Sequence, residues 1–240
     1  FNTLYEAAAS FCNPSSDNIQ SKRAKGQRDD VQRITDVGIK ARRMFTAGMM
    51  SHLFPQGQNW IRVVPQNRDL NRVDNVTRAL SSVTKKFVRA IEDSNFYEEM
   101  GQCVDHCGYI GTTALYCEPS TTRMLNFRSH YINQFYFCEN YLGEIDTVIR
   151  EFKLTARQAF QQFGDSCPQD IQDLAVNPRT STKEYTFIHI VMPRDSYKVD
   201  STDKAEKKIA SYYISVQHQE IVMESGFDEM PYSVGRFYKT

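Results

Sequence analysis

Cys103 and Cys107 stand four residues apart with His106 between them, on a stretch that reads as helix. Two ligands at that spacing share one helix face and can reach one metal ion. Structural zinc, however, takes four ligands in recognisable pairs, and no second pair stands nearby. The expectation is therefore free thiols, buried or half-buried, with no metal and no cofactor. The six cysteines, at 12, 103, 107, 117, 138 and 167, are scattered rather than framed by short loops, which predicts reduced thiols in a cytosolic setting. The five histidines, 52, 106, 130, 189 and 218, are equally dispersed. Ser and Asp are common enough that composition alone leaves a Ser-His-Asp hydrolase open. Yet the chain has no Gly-x-Ser-x-Gly elbow, phosphate-binding loop, dinucleotide fingerprint or His-Glu-x-x-His. His189 and His218 fall on predicted strands and read as hydrogen-bonded structural residues, so no catalytic residue is expected.

Charge offers a second kind of chemistry. Lys22, Arg23, Lys25, Arg28, Arg33, Lys40, Arg42 and Arg43 form a basic run. It reads first as a solvated face, and otherwise as a surface for DNA or for an acidic neighbour. Glu92, Asp93, Glu98 and Glu99 are an acidic cluster of the kind such a neighbour could offer. Like subunits meeting head to tail need one face that complements a different face of the same chain. Arg42, Arg43, Glu92, Asp93, Glu98 and Glu99 are thus candidates for a contact between subunits. A nucleic-acid-binding protein using the 22–43 region is the alternative. Against it, Lys+Arg and Asp+Glu both number 29, so the net charge is zero, whereas proteins that grip phosphates carry a basic excess. The aromatic runs Phe135-Tyr136-Phe137 and Tyr212-Tyr213 read as strand residues rather than as base-stacking platforms for the same reason.

The elements that position these residues are legible from periodicity. Residues 1–27 are taken as a mobile leading segment, 28–110 as a helical part and 111–240 as a β-rich part. A helix reads from Arg28 to Leu53, with Asp29 and Asp30 at its start. Pro55 and Gly57 stop it, and Trp60 opens a short strand to Val64. A second helix carries the stripe Val73, Val76, Leu80, Val83, Phe87 and Ala90, with Asp69 as its cap. That stripe is expected to pack in the core, with a neighbouring subunit as the other choice. A third helix covers Tyr97 to Tyr109 and ends at Gly108 or Gly111. The period then shortens to that of strands, at 112–118, 123–128, 133–138, 145–152, 185–192, 210–218, 220–225 and 232–238. Leu142-Gly143-Glu144 makes a hairpin. Thr155 caps a short helix that Gly164 ends, and another follows Pro168. Residues 194–207 read as an exposed, flexible loop. The fold class is α+β: long helices packed on a mainly antiparallel, barrel-like β region with two short helices. No apolar run is long enough to span a membrane. No leader is visible, and the missing initial Met and the strand-like ending suggest a piece of a longer polypeptide.

Several motifs occur in a fixed order: Leu53-Phe54-Pro55-x-Gly57-x-x-Trp60; Ser94-Asn95-Phe96-Tyr97; Gly111-Thr112-Thr113-Ala114-Leu115; and Gly143 to Phe152 followed by Leu154-Thr155-Ala156-Arg157-Gln158. His189 to Arg194 and Glu229-Met230-Pro231-Tyr232 with Gly235-Arg236-Phe237 complete the series. In this order they resemble the N-terminal part of the head-to-tail connecting (portal) proteins of short-tailed, T7-like bacteriophages. The resemblance implies the wing region of a structural subunit without a catalytic centre. Such subunits form a homo-oligomeric ring, typically dodecameric, at one vertex of the head. The implied partners are the major capsid and scaffolding proteins, the large terminase subunit, tail adaptor proteins, and double-stranded DNA passing non-specifically. No membrane is among them. The implied location is the head–tail junction of the virion, after assembly in the host cytoplasm. On this view Pro55, Gly57 and Trp60 fix the helix-to-strand corner, Gly111 ends a helix at positive φ and Gly143 sets a hairpin.

Overall fold

A computed structural model describes residues 2–13, 35–120, 122–199 and 201–237. The chain divides into two compact units. The first runs up to Asn133 and includes the stretch from Ser233 onward; the second is Gln134–Tyr232. The change from helical to strand period at residue 111 falls inside the first unit.

In the first unit, α1 (Asn2–Cys12), α2 (Val37–Leu53), α3 (Asp74–Glu92) and α4 (Phe96–Ile110) accompany a three-stranded sheet ordered β2-β1-β8. Its strands are β1 (Thr112–Pro119), β2 (Leu125–His130) and β8 (Tyr232–Arg236), with β1 and β2 antiparallel from Ala114↔His130 to Pro119↔Leu125. Part of the expected leading segment is helical: α1 buries Ala9 completely and ends beside Gly38 of α2. The helix expected from Arg28 begins, among the described residues, at Val37; Asp29 and Asp30 lie outside those residues. Gly111 closes α4 at φ +82, a left-handed backbone that costs a glycine little.

Three expectations for this unit are corrected. Asp69 does not cap α3. It sits in a short 3-10 turn, Arg68–Arg72, whose cap is Asn67, and α3 begins after Val73 with no side-chain cap. The strand expected at Trp60–Val64 is irregular chain without a ladder, because no strand lies beside it among the described residues. Its Val63 N–H instead donates to Thr84 Oγ1 of α3 at 3.1 Å. The stripe on α3 is also turned from the core more than expected. Thr84, Val88 and Ile91 are the buried positions, while Val73, Val83 and Phe87 remain 46%, 49% and 43% exposed.

In the second unit, β3 (Phe135–Glu139), β4 (Ile145–Thr155), β5 (Glu184–Pro193), β6 (Ile209–Ser215) and β7 (Glu220–Phe227) form an antiparallel meander in that spatial order. Helices α5 (Ala156–Phe163) and α6 (Gln169–Val176) lie between β4 and β5 in the chain. They pack Ala156, Ala159, Phe163 and Ile171 against Tyr185, Phe187 and Val222. Thr155 caps α5, as the sequence predicts, and Gln158 reciprocates to complete a capping box. The fold is α+β, but the barrel-like closure is not present: the described sheet is open, with β3 and β7 as its edges. The 194–207 connection is not a free loop either. Lys198 and Ser201 bond Glu206, Lys207 pairs with Asp228 at 2.7 Å, and the connection packs on β7 at Gly226. A Cβ at Gly226 would stand 2.4 Å from Lys204 O, so only glycine admits this approach.

Candidate functional site

Two groups in the second unit have the distances of a nucleophile, a base and an orienting partner. Ser215 Oγ lies 2.8 Å from His218 Nδ1, and His218 Nε2 lies 2.9 Å from Asp170 Oδ1. Ser211 Oγ lies 2.9 Å from His189 Nε2, and Tyr232 Oη lies 3.0 Å from His189 Nδ1. Geometry alone therefore meets the first test for acyl-transfer chemistry. Access does not: Ser215 and Ser211 are 0% and 1% exposed, so neither oxygen has room for a substrate carbonyl. In the first group the serine also meets Nδ1 and the aspartate Nε2, the reverse of the usual assignment. Burial, assisted by the Arg150 charge, pushes the His189 pKa down to about 3, so the ring is neutral. It stacks flat on Tyr213 with ring centroids 4.1 Å apart. The His189 group is a pin that satisfies polar groups inside a core, and the His218–Asp170 pair, part of it exposed, ties the buried Ser215 to the surface of α6.

The two thiols of α4 behave alike. Cys103 Sγ donates to Ala114 O at 3.7 Å, and burial pushes its pKa up to about 11. Burial raises Cys107 as well, and it lowers His106, whose ring meets Tyr131 edge-on at 4.9 Å. Protonated thiols are poor ligands and poor nucleophiles. Among the described residues, no group of three or more His, Cys, Asp or Glu side chains is placed to hold a metal ion.

The corner residues fall together. Pro55 and Gly57, the latter at φ +76, end α2 and turn the chain back. Trp60 then stacks on Phe96 at 5.8 Å and meets Phe54 edge-on at 5.0 Å, while its Nε1 donates to Tyr97 Oη at 3.2 Å. Phe127 of β2 completes the aromatic cluster against Phe96. The indole is half-buried, so it seals one side of this core rather than filling its centre.

The six charged residues proposed for a subunit contact divide into two sets. Arg42 is turned inward: its Nε lies 3.2 Å from Asp105, and its guanidinium stands over the Tyr109 ring at 5.9 Å. Glu99 accepts from the Ser129 N–H at 2.6 Å, beside Asn95, which both donates to and accepts from Phe127 at 2.8 Å. Those side chains occupy main-chain groups of β2 that another strand would otherwise seek. Arg43, Glu92, Asp93 and Glu98 stay exposed. The basic residues at 22, 23, 25, 28 and 33 lie outside the described residues.

Two outward features among the described residues bear on a contact. On α3, Val83 and Phe87 face solvent, and Thr77, Leu80, Ser81 and Thr84 form a groove of about 270 Å³ with Asn59, Ile61, Arg62 and Val63. At the β3–β4 turn, Tyr141 and Leu142 are 94% and 64% exposed. Asn140 Oδ1 accepts from both Leu142 N and Glu144 N, and Gly143 sits at φ +75. Sequence reasoning read this stretch only as a turn. The missed signal was two large apolar residues where turns favour small polar ones.

A family model described as bacteriophage head to tail connecting protein matches residues 1–240. The portal protein of Salmonella phage epsilon15 is 26% identical over 227 residues, covering 92% of this chain and 40% of that protein. A probable portal protein of Bordetella phage BPP-1 is 25% identical over 192 residues, covering 78% of this chain and 34% of that one. The chain thus spans well under half the length of these relatives. No described helix is long and apolar enough to cross a membrane.

Proposed function

The chain belongs to the bacteriophage head to tail connecting protein family, and from that membership we propose that it is part of a structural subunit of the ring-shaped portal at the head vertex. In this role the ring acts in head assembly, genome packaging and ejection. It serves as the DNA conduit and as the docking site for the terminase large subunit, the tail adaptors, and the capsid and scaffolding proteins. The match along all 240 residues carries the proposal. The buried Ser211 and Ser215 support a structural rather than catalytic part, because the hydroxyls at triad-like distances are closed to substrate. Subunits of a closed ring present two unlike surfaces to their two neighbours. Arg43, Glu92, Asp93 and Glu98 are exposed and available for such a contact, whereas Arg42 and Glu99 serve internal bonds.

Light scattering after size exclusion, on the intact polypeptide that contains this segment, tests the proposal. The expected result is a particle many subunits in mass, seen by microscopy as a holed disc. A particle of one subunit's mass across the accessible concentration range would defeat it.

A further inference from the structure

The two outward features are unlike in shape and opposite in charge. Resting on the ring reading above, we propose that the β3–β4 turn of one copy, tipped by Tyr141 and Leu142, seats in the α3 groove of a second copy. The groove is walled by Ile61, Val63 and Leu80, with Asn59, Arg62 and Ser81 supplying polar edges. At about 270 Å³ it falls below the usual size of a small-molecule site and suits a large side chain. One wall comes from the 60–64 segment, whose β-branched residues read as strand but have no strand partner among the described residues. No main-chain hydrogen bond among the described residues involves Arg62 or Val64, both exposed, so their peptide groups can receive an incoming backbone.

Charge selects the occupant. Arg62 lies on the groove, and Arg78 and Lys85 stand one turn either side of Ser81 on α3. All three are exposed and form no ion pair among the described residues. Beside the tip, Glu144, Asp146, Asp228 and Glu229 line one hollow in which Lys208 is the only cation. Asp228 already pairs with Lys207, which leaves Glu144, Asp146 and Glu229 to face a basic rim. The tip is also held before it binds. Besides the two bonds to Asn140 Oδ1, the Gly143 N–H donates to Asn140 O at 2.9 Å. A fixed turn loses little freedom on docking, and an exposed aromatic on it is the usual anchor of an interface. One chain carrying both a projection and its receptor makes a head-to-tail contact that can repeat around a ring.

The test uses the intact polypeptide. In the assembled state, the pair Leu142→Cys with Ser81→Cys should cross-link under mild oxidation into chains of covalently joined subunits, while either single variant gives none beyond the wild-type background. Arg62→Glu should raise the concentration for half-assembly by roughly tenfold, and Glu144→Arg in the same chain should recover most of it. Wild type that assembles while the cysteine pair stays unlinked and Arg62→Glu changes nothing would overturn this contact and leave the ring reading intact. Wild type that never exceeds one subunit's mass would overturn both. Normal assembly of Arg62→Glu with weakened, salt-dependent DNA retention would also overturn it, making the rim a phosphate-binding surface instead.

Discussion

Helices α5 and α3 carry apolar stripes of similar sequence quality and meet opposite fates. The stripe of α5 is spent inside its own unit: Ala156 and Ala159 are completely buried and Phe163 nearly so. The stripe of α3 is spent only in part, with Thr84, Val88 and Ile91 inside and Val83 and Phe87 outside. The second unit also ties down the His189 network with hydrogen bonds and the 194–207 connection with ion pairs. Among the described residues, the first leaves the 60–64 segment without a strand partner and a basic rim without ion pairs. Each unit closes one part and leaves another outward, the α3 face in the first and the Tyr141–Leu142 turn in the second, and these outward parts mark the surface left to be covered.

Truncation should expose this difference most strongly. Phe187 is fully buried among Phe152, Phe163 and the α5–α6 residues. Phe187→Ala should therefore cost about 3–5 kcal/mol in urea unfolding. Phe87→Ala, at a position 43% exposed, should cost less than about 1 kcal/mol in the same measurement. Equal losses would mean that α3 is buried after all and would remove the contrast. Trp60→Ala falls between them. The half-buried indole loses its stack on Phe96 and its bond to Tyr97, and about 3 kcal/mol is expected, with Trp60→Phe recovering part of it.

Acid should separate the regions next. The folded pKa of His189 is about 3, well below the ordinary histidine value of 6.5. Between these two values the unfolded chain binds a proton that the folded chain refuses. The stability linked to His189 is thus fully present above about pH 6.5 and is lost as pH falls towards 3. From pH 7.5 to 5 the loss should be about 2 kcal/mol, read by denaturant unfolding at each pH. His189→Gln should flatten that dependence. An unchanged slope in the variant would assign the acid sensitivity to other groups.

What the sequence made legible follows from what local chemistry determines. The Pro55-Gly57 stop, the Thr155 cap and the helical period of α3 and α4 depend on residues close in the chain, and all appear where expected. Residues 60–64 were misread because strand propensity states what a segment can do when paired, and no described strand pairs it. The inward turn of Arg42 depends on Asp105, 63 positions away, which no local pattern reveals. Gly226 likewise gives no hint in sequence that Lys204 O lies against it. The α3 stripe was visible, but periodicity marks an apolar face without naming what covers it.

Helix starts provide the finest version of the same contrast. Thr155 opens α5 with its hydroxyl accepting from Gln158 N at 3.3 Å, while Gln158 Oε1 accepts from Thr155 N at 3.0 Å. Val73 opens α3 with no side-chain acceptor, although its backbone, at φ −93 and ψ 112, has the extended form a capping residue uses. Removing the first cap and adding the second should move stability in opposite directions by similar amounts. Thr155→Ala should lose about 1 kcal/mol, and Val73→Ser should gain about 0.5–1 kcal/mol, because Val73 is exposed and gives up little packing. Hydrogen exchange of the first-turn amides of each helix reads both effects locally. If Val73→Ser instead destabilises the isolated subunit, the valine is already packed there and the start of α3 is finished. If it stabilises the subunit but weakens assembly, the valine has been kept, at the expense of the cap, for a surface that a neighbour covers.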